Sequence, residues 1–165
     1  MASGDPYSDS VILWTRISPQ YDSVDDPGQV SGSVPLYSHG PAQTISTAPI
    51  CVSYAVSLTE DFSKPVSSGR AYTSSDVDYT VKVEATGLQP FTRYYYQFSV
   101  CDSDRKSPLG RTKTAPAVDD DVSQVNLAVY SCANYPFGFF NAYGNSARKE
   151  SVDYVVHLGD YIYEW

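Results

Sequence analysis

Apolar and polar positions alternate along the first two thirds of the chain at the period of extended structure. In DSVILWTRI, residues 9–17, Val11, Leu13 and Thr15 alternate with Ile12, Trp14 and Arg16, and Pro19 ends the run, which predicts a strand. ICVSYAVSL at 50–58 predicts a second, with Val52, Tyr54, Val56 and Leu58 on one face and Cys51, Ser53, Ala55 and Ser57 on the other. VDYTVKVEAT at 77–86 predicts a third, with Val77, Tyr79, Val81 and Val83 sharing a face. In GLQPFTRYYYQFSV at 87–100, the placement of Leu88, Pro90 and Tyr94 sets a tyrosine just after a loop and near the start of a strand. That is the signature of a tyrosine corner, in which the phenol binds backbone a few residues upstream. A last strand is expected in LGRTKTA, residues 109–115. Short strands at this spacing predict a mainly β fold that opens with a fibronectin-III-like or immunoglobulin-like sandwich over residues 1–116. Residues 18–49, rich in Ser, Pro, Gly and Asp, read as a long surface insertion.

After a linker at 117–123 the pattern changes. NLAVYS at 126–131 reads as a short apolar strand, FGFFNAYGNSARKE at 137–150 as one helix of modest quality, and VDYVVHLGD at 152–160 as containing a second strand. Strand, helix and strand in succession predict a βαβ unit with parallel strands over residues 124–165. One such unit buries too little surface to hold a parallel sheet covered on both faces, so it is expected to be the opening of a larger α/β domain.

Composition adds limits. With 42% hydrophobic and 18% charged residues the chain is expected to have a true core. Fifteen tyrosines beside a single Met favour strands over helices. A net charge of −8 without a Lys/Arg run argues against a nucleic-acid partner, and no apolar run is long enough for a transmembrane segment. No basic-then-apolar leader precedes the first strand. Strand parity points Cys51 and Cys101 away from the core. If their strands lie in opposite sheets, no bond through the core joins them, so two thiols are favoured over a disulfide.

The candidate chemistry lies at the ends of the two parallel strands. In an open parallel sheet, ligands bind beyond the carboxyl ends of the strands, and Cys132 follows the first strand as Asp160 follows the second. Asp160 offers a carboxylate able to bridge two cations, and Tyr163 offers a phenol oxygen that a highly charged ion can hold as phenolate. His157, inside its strand, reads as a hydrogen-bonded structural histidine, and His39 as a solvent-exposed loop residue. Arg148 and Lys149 read as complements to a helix C-terminus, and DDD at 119–121 as solvated linker.

GDYIY, with Tyr three residues after Asp, is similar to the metal-binding motif of the calcineurin-like metallophosphoesterases. Together with ASGDPYSDSVILWTRISP at 2–19, SCANYPFGFFNAY at 131–143 and DYVVHLGDYIYEW at 153–165, it resembles the PhoD-type alkaline phosphatases and phosphodiesterases. The resemblance implies a small β-sandwich followed by a metallophosphoesterase domain, of which this chain is the front portion. It implies Cys132, Asp160 and Tyr163 as metal ligands, with Asp160 bridging and Cys132 and Tyr163 on iron. It further implies ferric iron with calcium as cofactors, a phosphate ester as substrate, in-line attack by a metal-activated hydroxide, and an extracellular or cell-envelope location. The remaining ligands of that family lie in motifs that this sequence does not contain, so the chain alone is expected to be inactive. A non-catalytic β-sandwich module left by truncation is the alternative expectation.

Overall fold

The computed structural model describes residues 1–17 and 48–163; the expected insertion, apart from Ala48 and Pro49, and His39 lie outside the described residues. Nine strands dominate the described residues, and helices are few and short. One antiparallel sheet has the order β1 (Ala2–Gly4), β2 (Ser10–Arg16) and β5 (Thr80–Thr86). The other runs β4 (Ser67–Thr73), β3 (Ile50–Ser57), β6 (Arg93–Val100) and β7 (Gly110–Lys113).

The two sheets close on one core. Val11 and Leu13 of β2 and Val81 and Ala85 of β5 meet Val52 and Val56 of β3 and Tyr94, Tyr96 and Phe98 of β6, all nearly or fully buried, with Leu88 from the connecting loop. Alternation placed these side chains inward, as the period-2 pattern of β2, β3 and β6 expects. Tyr96 meets Phe98 edge-on, with centroids 6.3 Å apart. The tyrosine corner forms: the Gln89 backbone N–H donates to the Tyr94 phenol oxygen at 2.7 Å. Gly110 is paired with Tyr96 across β7 and β6, and a Cβ there would lie 2.3 Å from the tyrosine ring, so only glycine lets the aromatic lie flat over its neighbour.

Four expectations need correction. Val77 does not lead a strand. Residues Ser75–Val77 form a 3₁₀ turn, Asp78 and Tyr79 have left-handed backbones (φ 51° and 55°), and Val77 is exposed while Tyr79 is buried. The turn is stabilised by Arg16, which donates to both carboxylate oxygens of Asp78 at 3.0 and 2.8 Å. Strands β1 and β4 carry no apolar alternation and were not expected; β4 pairs with β3 from Ile50 to Val56, with the small residues Ser67, Gly69 and Ala71 half-buried.

The third correction concerns the cysteines. β3 and β6 are adjacent antiparallel strands of one sheet, not members of opposite sheets. Cys51 and Cys101 therefore lie on the same outer face and directly opposite each other: the Cys101 N–H donates to the Cys51 carbonyl at 3.0 Å, and the two sulfurs form a disulfide with a Cα–Cα distance of 5.4 Å. The parity that keeps both from the core is what brings them together.

Beyond Pro116 a two-stranded parallel sheet forms from β8 (Leu127–Tyr130) and β9 (Tyr154–His157), in register from Leu127 with Tyr154 to Tyr130 with His157. The connection is not one helix but two, α1 (Tyr135–Gly138) and α2 (Asn141–Ala147). They are broken where Phe139 and Phe140 take left-handed backbones (φ 48° and 56°), a conformation bulky residues adopt only when the surroundings compensate. Here Tyr135 meets Phe139 edge-on and Phe140 at a tilt, with ring centroids 5.6 and 5.1 Å apart. Leu127, Val129 and Val155 are more than half exposed, so this sheet lacks the cover that parallel strands normally have. No helix among the described residues is long and apolar enough to cross a membrane.

Candidate metal centre at the strand rim

β8 and β9 end on the same rim, and both chains leave it through left-handed residues, Cys132 (φ 56°) after β8 and Gly159 (φ 112°) and Asp160 (φ 48°) after β9. The two exits stay paired. Leu158 N–H donates to Tyr130 O at 2.8 Å, Cys132 N–H to Gly159 O at 3.4 Å, Ala133 N–H to Asp160 O at 3.2 Å and Tyr163 N–H to Ala133 O at 2.7 Å. This backbone zipper brings the side chains of the two segments together.

The Tyr163 phenol donates to Asp160 Oδ2 at 2.5 Å, and the Cys132 thiol donates to the same oxygen at 3.5 Å. All three residues predicted from sequence thus meet at one carboxylate oxygen, and all three are exposed. The hydrogen bond to Asp160 stabilises the neutral phenol, and burial and the nearby negative groups add to it, so the Tyr163 pKa is pushed up to about 12. A thiol, a carboxylate and a phenol on one point are electron-pair donors sharing protons that a cation could displace. Among the described residues no cluster of three His, Cys, Asp or Glu side chains exists, so any metal here depends on the tyrosine and on further ligands.

Sequence reasoning missed Asn134. It is bridged in parallel to Tyr163, and its buried Oδ1 has no hydrogen-bond partner, a costly arrangement beside the cluster. No spacing rule marks an Asn two residues after a Cys; only the fold shows it. His157 is bonded on both nitrogens: Gly159 N–H donates to Nδ1 at 3.3 Å, so Nε2 carries the proton and donates to the Tyr143 phenol at 2.9 Å. A cleft of about 600 Å³ between β7 and the α2–β9 layer is lined by Arg93, Arg111, Lys113, Tyr143 and His157, and by none of the three rim residues. Arg148 caps α2, and Lys149 N–H donates to the Ser146 carbonyl at 2.9 Å.

Comparison with known proteins places this geometry in context. Residues 1–116 match the family described as PhoD-like phosphatase, N-terminal domain, and residues 127–165 match that described as PhoD-like phosphatase. The chain is 40% identical over all of its 165 residues to alkaline phosphatase D of Bacillus subtilis (strain 168), and it spans about a quarter of that relative's length (25%). A solved structure described as the structure of PhoD superimposes on 99% of this chain and 27% of its own, with a TM-score of 0.77 and 38% identity. The mainly β architecture with its antiparallel sheets is therefore that of a solved relative, and the chain belongs to the PhoD-like phosphatase family.

Proposed function

We propose that these residues form the front of a metal-dependent phosphoesterase that hydrolyses phosphate esters, and that Cys132, Asp160 and Tyr163 are its first metal ligands. The observation that carries the reading is the shared acceptor: one oxygen of Asp160 receives both the Tyr163 phenol and the Cys132 thiol. The donor set fits a hard, highly charged cation, because carboxylate and phenolate oxygens suit ferric iron and a cation offers a better partner to Asp160 Oδ2 than two competing protons. Calcium, an oxygen-seeking ion, would share the Asp160 carboxylate. When bound, such cations supply Lewis acidity toward the phosphoryl oxygens and a water acidified for attack at phosphorus.

The residues of this chain would prepare that chemistry. Asp160 presents Oδ2 to Cys132 and Tyr163 at the rim, where Gly159 and Asp160 leave β9 in left-handed conformations. The hydrogen bond to Asp160 pushes the Tyr163 pKa up to about 12, and a Lewis acid bound here would take the place of that proton. Cys132 supplies a soft, polarisable donor beside two hard ones. Three side chains do not complete a two-metal site, so the chain by itself would be inactive.

In this proposal residues 1–116 form a fibronectin-III-like or immunoglobulin-like sandwich, residues 117–123 a linker and residues 124–165 the start of the metallophosphoesterase domain. The Cys51–Cys101 disulfide supports an extracellular or cell-envelope location, since such bonds persist in oxidising compartments.

The test is metal content by elemental analysis, with hydrolysis of chromogenic phosphomonoesters and phosphodiesters, on this chain and on a protein continued to the length of its relatives. Iron and hydrolysis are expected in the longer protein alone, and both should fall at least about a hundredfold in its Asp160→Ala and Tyr163→Phe forms. Full metal content and activity in both variants would refute the ligand assignment. No hydrolysis by the longer protein under any metal would leave a non-catalytic sandwich module as the better account.

A further inference from the structure

The strands that carry the rim residues are four residues long and exposed on much of their surface, so hydrophobic patterning pins their register weakly. A slip of one residue would turn Asp160 away from Cys132. Something else must hold the register, and the ends opposite the rim contain it.

Asp153, immediately before β9, donates its N–H to the Asn126 carbonyl at 2.9 Å and accepts the Asn126 N–H on Oδ2 at 2.9 Å, so it locks the starts of β8 and β9 together. Its other oxygen, Oδ1, lies 2.6 Å from the Lys113 ammonium at the end of β7, and the two side chains are only 8% and 13% exposed. Lys113 also lies over the Phe91 ring, 3.4 Å from its centroid. The next residue along the chain on each side continues the contact, the Tyr154 phenol donating to the Thr114 carbonyl at 2.8 Å. Farther out, Arg93 and Arg111 grip the two carboxylate oxygens of Glu150 at 2.7 and 2.9 Å. The Glu150 carboxylate is 74% exposed, and such surface pairs contribute little, whereas removing one partner of a shielded pair strands the other charge.

We propose that Lys113 and Asp153 are positioning residues for the Cys132, Asp160 and Tyr163 cluster: the sandwich sets the register of β8 and β9 from the end opposite the rim, through this shielded ion pair. The catalytic meaning of that role rests on the phosphoesterase reading; the mechanical role does not. Burial alone would raise the Asp153 pKa, but the hydrogen bonds and charge of Lys113 and the Asn126 N–H outweigh it and keep the carboxylate below its usual range, so the pair stays ionised.

The experiment uses the metal-free chain, which separates it from any failure of metal binding or hydrolysis. Amide hydrogen exchange across 127–133 and 154–163 is measured together with the rate at which a neutral maleimide labels Cys132, the one free cysteine. Lys113→Met keeps the apolar stem over Phe91, Asp153→Asn keeps an acceptor for Asn126, and both keep side-chain volume, so folding of the sandwich is preserved. Each is expected to speed exchange in the two rim segments by at least about tenfold and to change the Cys132 labelling rate, with segments 52–57 and 94–100 unaltered. Lys113→Arg should keep protection, the double variant, which strands no charge, should exchange no faster than either single one, and Arg16→Met, which breaks an exposed pair in the sandwich, should leave the rim unchanged. Rim exchange and Cys132 labelling unchanged in both single variants would overturn the proposal. So would acceleration that is equal in rim and sandwich, since that reports general destabilisation.

Discussion

Tyr94 is 1% exposed, and its phenol oxygen satisfies the Gln89 N–H in the loop that opens β6. Tyr94→Phe removes that acceptor and leaves a part-buried N–H without a partner, so the expected loss is about 1–3 kcal/mol, read as a lower Tm or urea midpoint. A loss below a few tenths of a kcal/mol would mean that water replaces the phenol. This contact was legible from sequence because the partners are only five residues apart, and Leu88 and Pro90 define the path of the loop between them. Tyr163 was legible for a similar reason, its spacing from Asp160 being local. Asn134 was not, because its burial depends on pairing with Tyr163, 29 positions later.

At the scale of elements, the β3–β6 pair shows how a correct local rule led to a wrong pairing. Alternation put Cys51 and Cys101 on outer faces, but alternation says nothing about which strands are neighbours, and the sheet order β4-β3-β6-β7 makes them cross-strand partners. The bond closes a loop with a sequence separation of 50, which predicts up to about 4 kcal/mol of stabilisation in the chain-entropy account. Replacing both cysteines by serine should lower the urea unfolding free energy by about 2–4 kcal/mol, and reductant should shift the midpoint of the parent chain but not of the variant. A midpoint insensitive to reductant in the parent would contradict this. The divided helix shows the same limit: residues 137–150 read as one helix of modest quality, yet left-handed backbones at Phe139 and Phe140 divide it, with Tyr135 packed edge-on against Phe139 and at a tilt against Phe140.

For the whole molecule, the contact between the sandwich and the parallel layer is polar and pH-sensitive. The groups around Asp153 are the Lys113 ammonium from β7, the Asn126 amide from the start of β8 and the Tyr154 phenol, whose own pKa is raised by burial and by the Asp153 charge. Because the Asp153 carboxylate is held below its unfolded pKa of about 3.9, its stabilisation is fully present above that value and is lost as pH falls through the lower folded pKa. The stability difference between the parent chain and Asp153→Asn should therefore be constant near neutral pH and shrink below about pH 4. A difference that persists undiminished through strong acid would show that Asp153 acts by shape rather than charge.

The sequence alone determined the features governed by near neighbours. These are the alternation that buries Val11, Leu13, Val52, Tyr94 and Phe98, the tyrosine corner, the order strand, helix, strand in the last forty residues, and the three rim residues. Periodicity and turn chemistry act over a few positions, so they can be read without knowing the fold. Only the tertiary structure decided which strands are adjacent, and with that the Cys51–Cys101 bond, the pairing of the pattern-free strands β1 and β4, and the break at Phe139 and Phe140. It also decided that Lys113 and Asp153, 40 positions apart, would share a shielded ion pair. Each of these depends on the burial and charge of groups far apart in the chain, which become neighbours only when the sheets close on their common core.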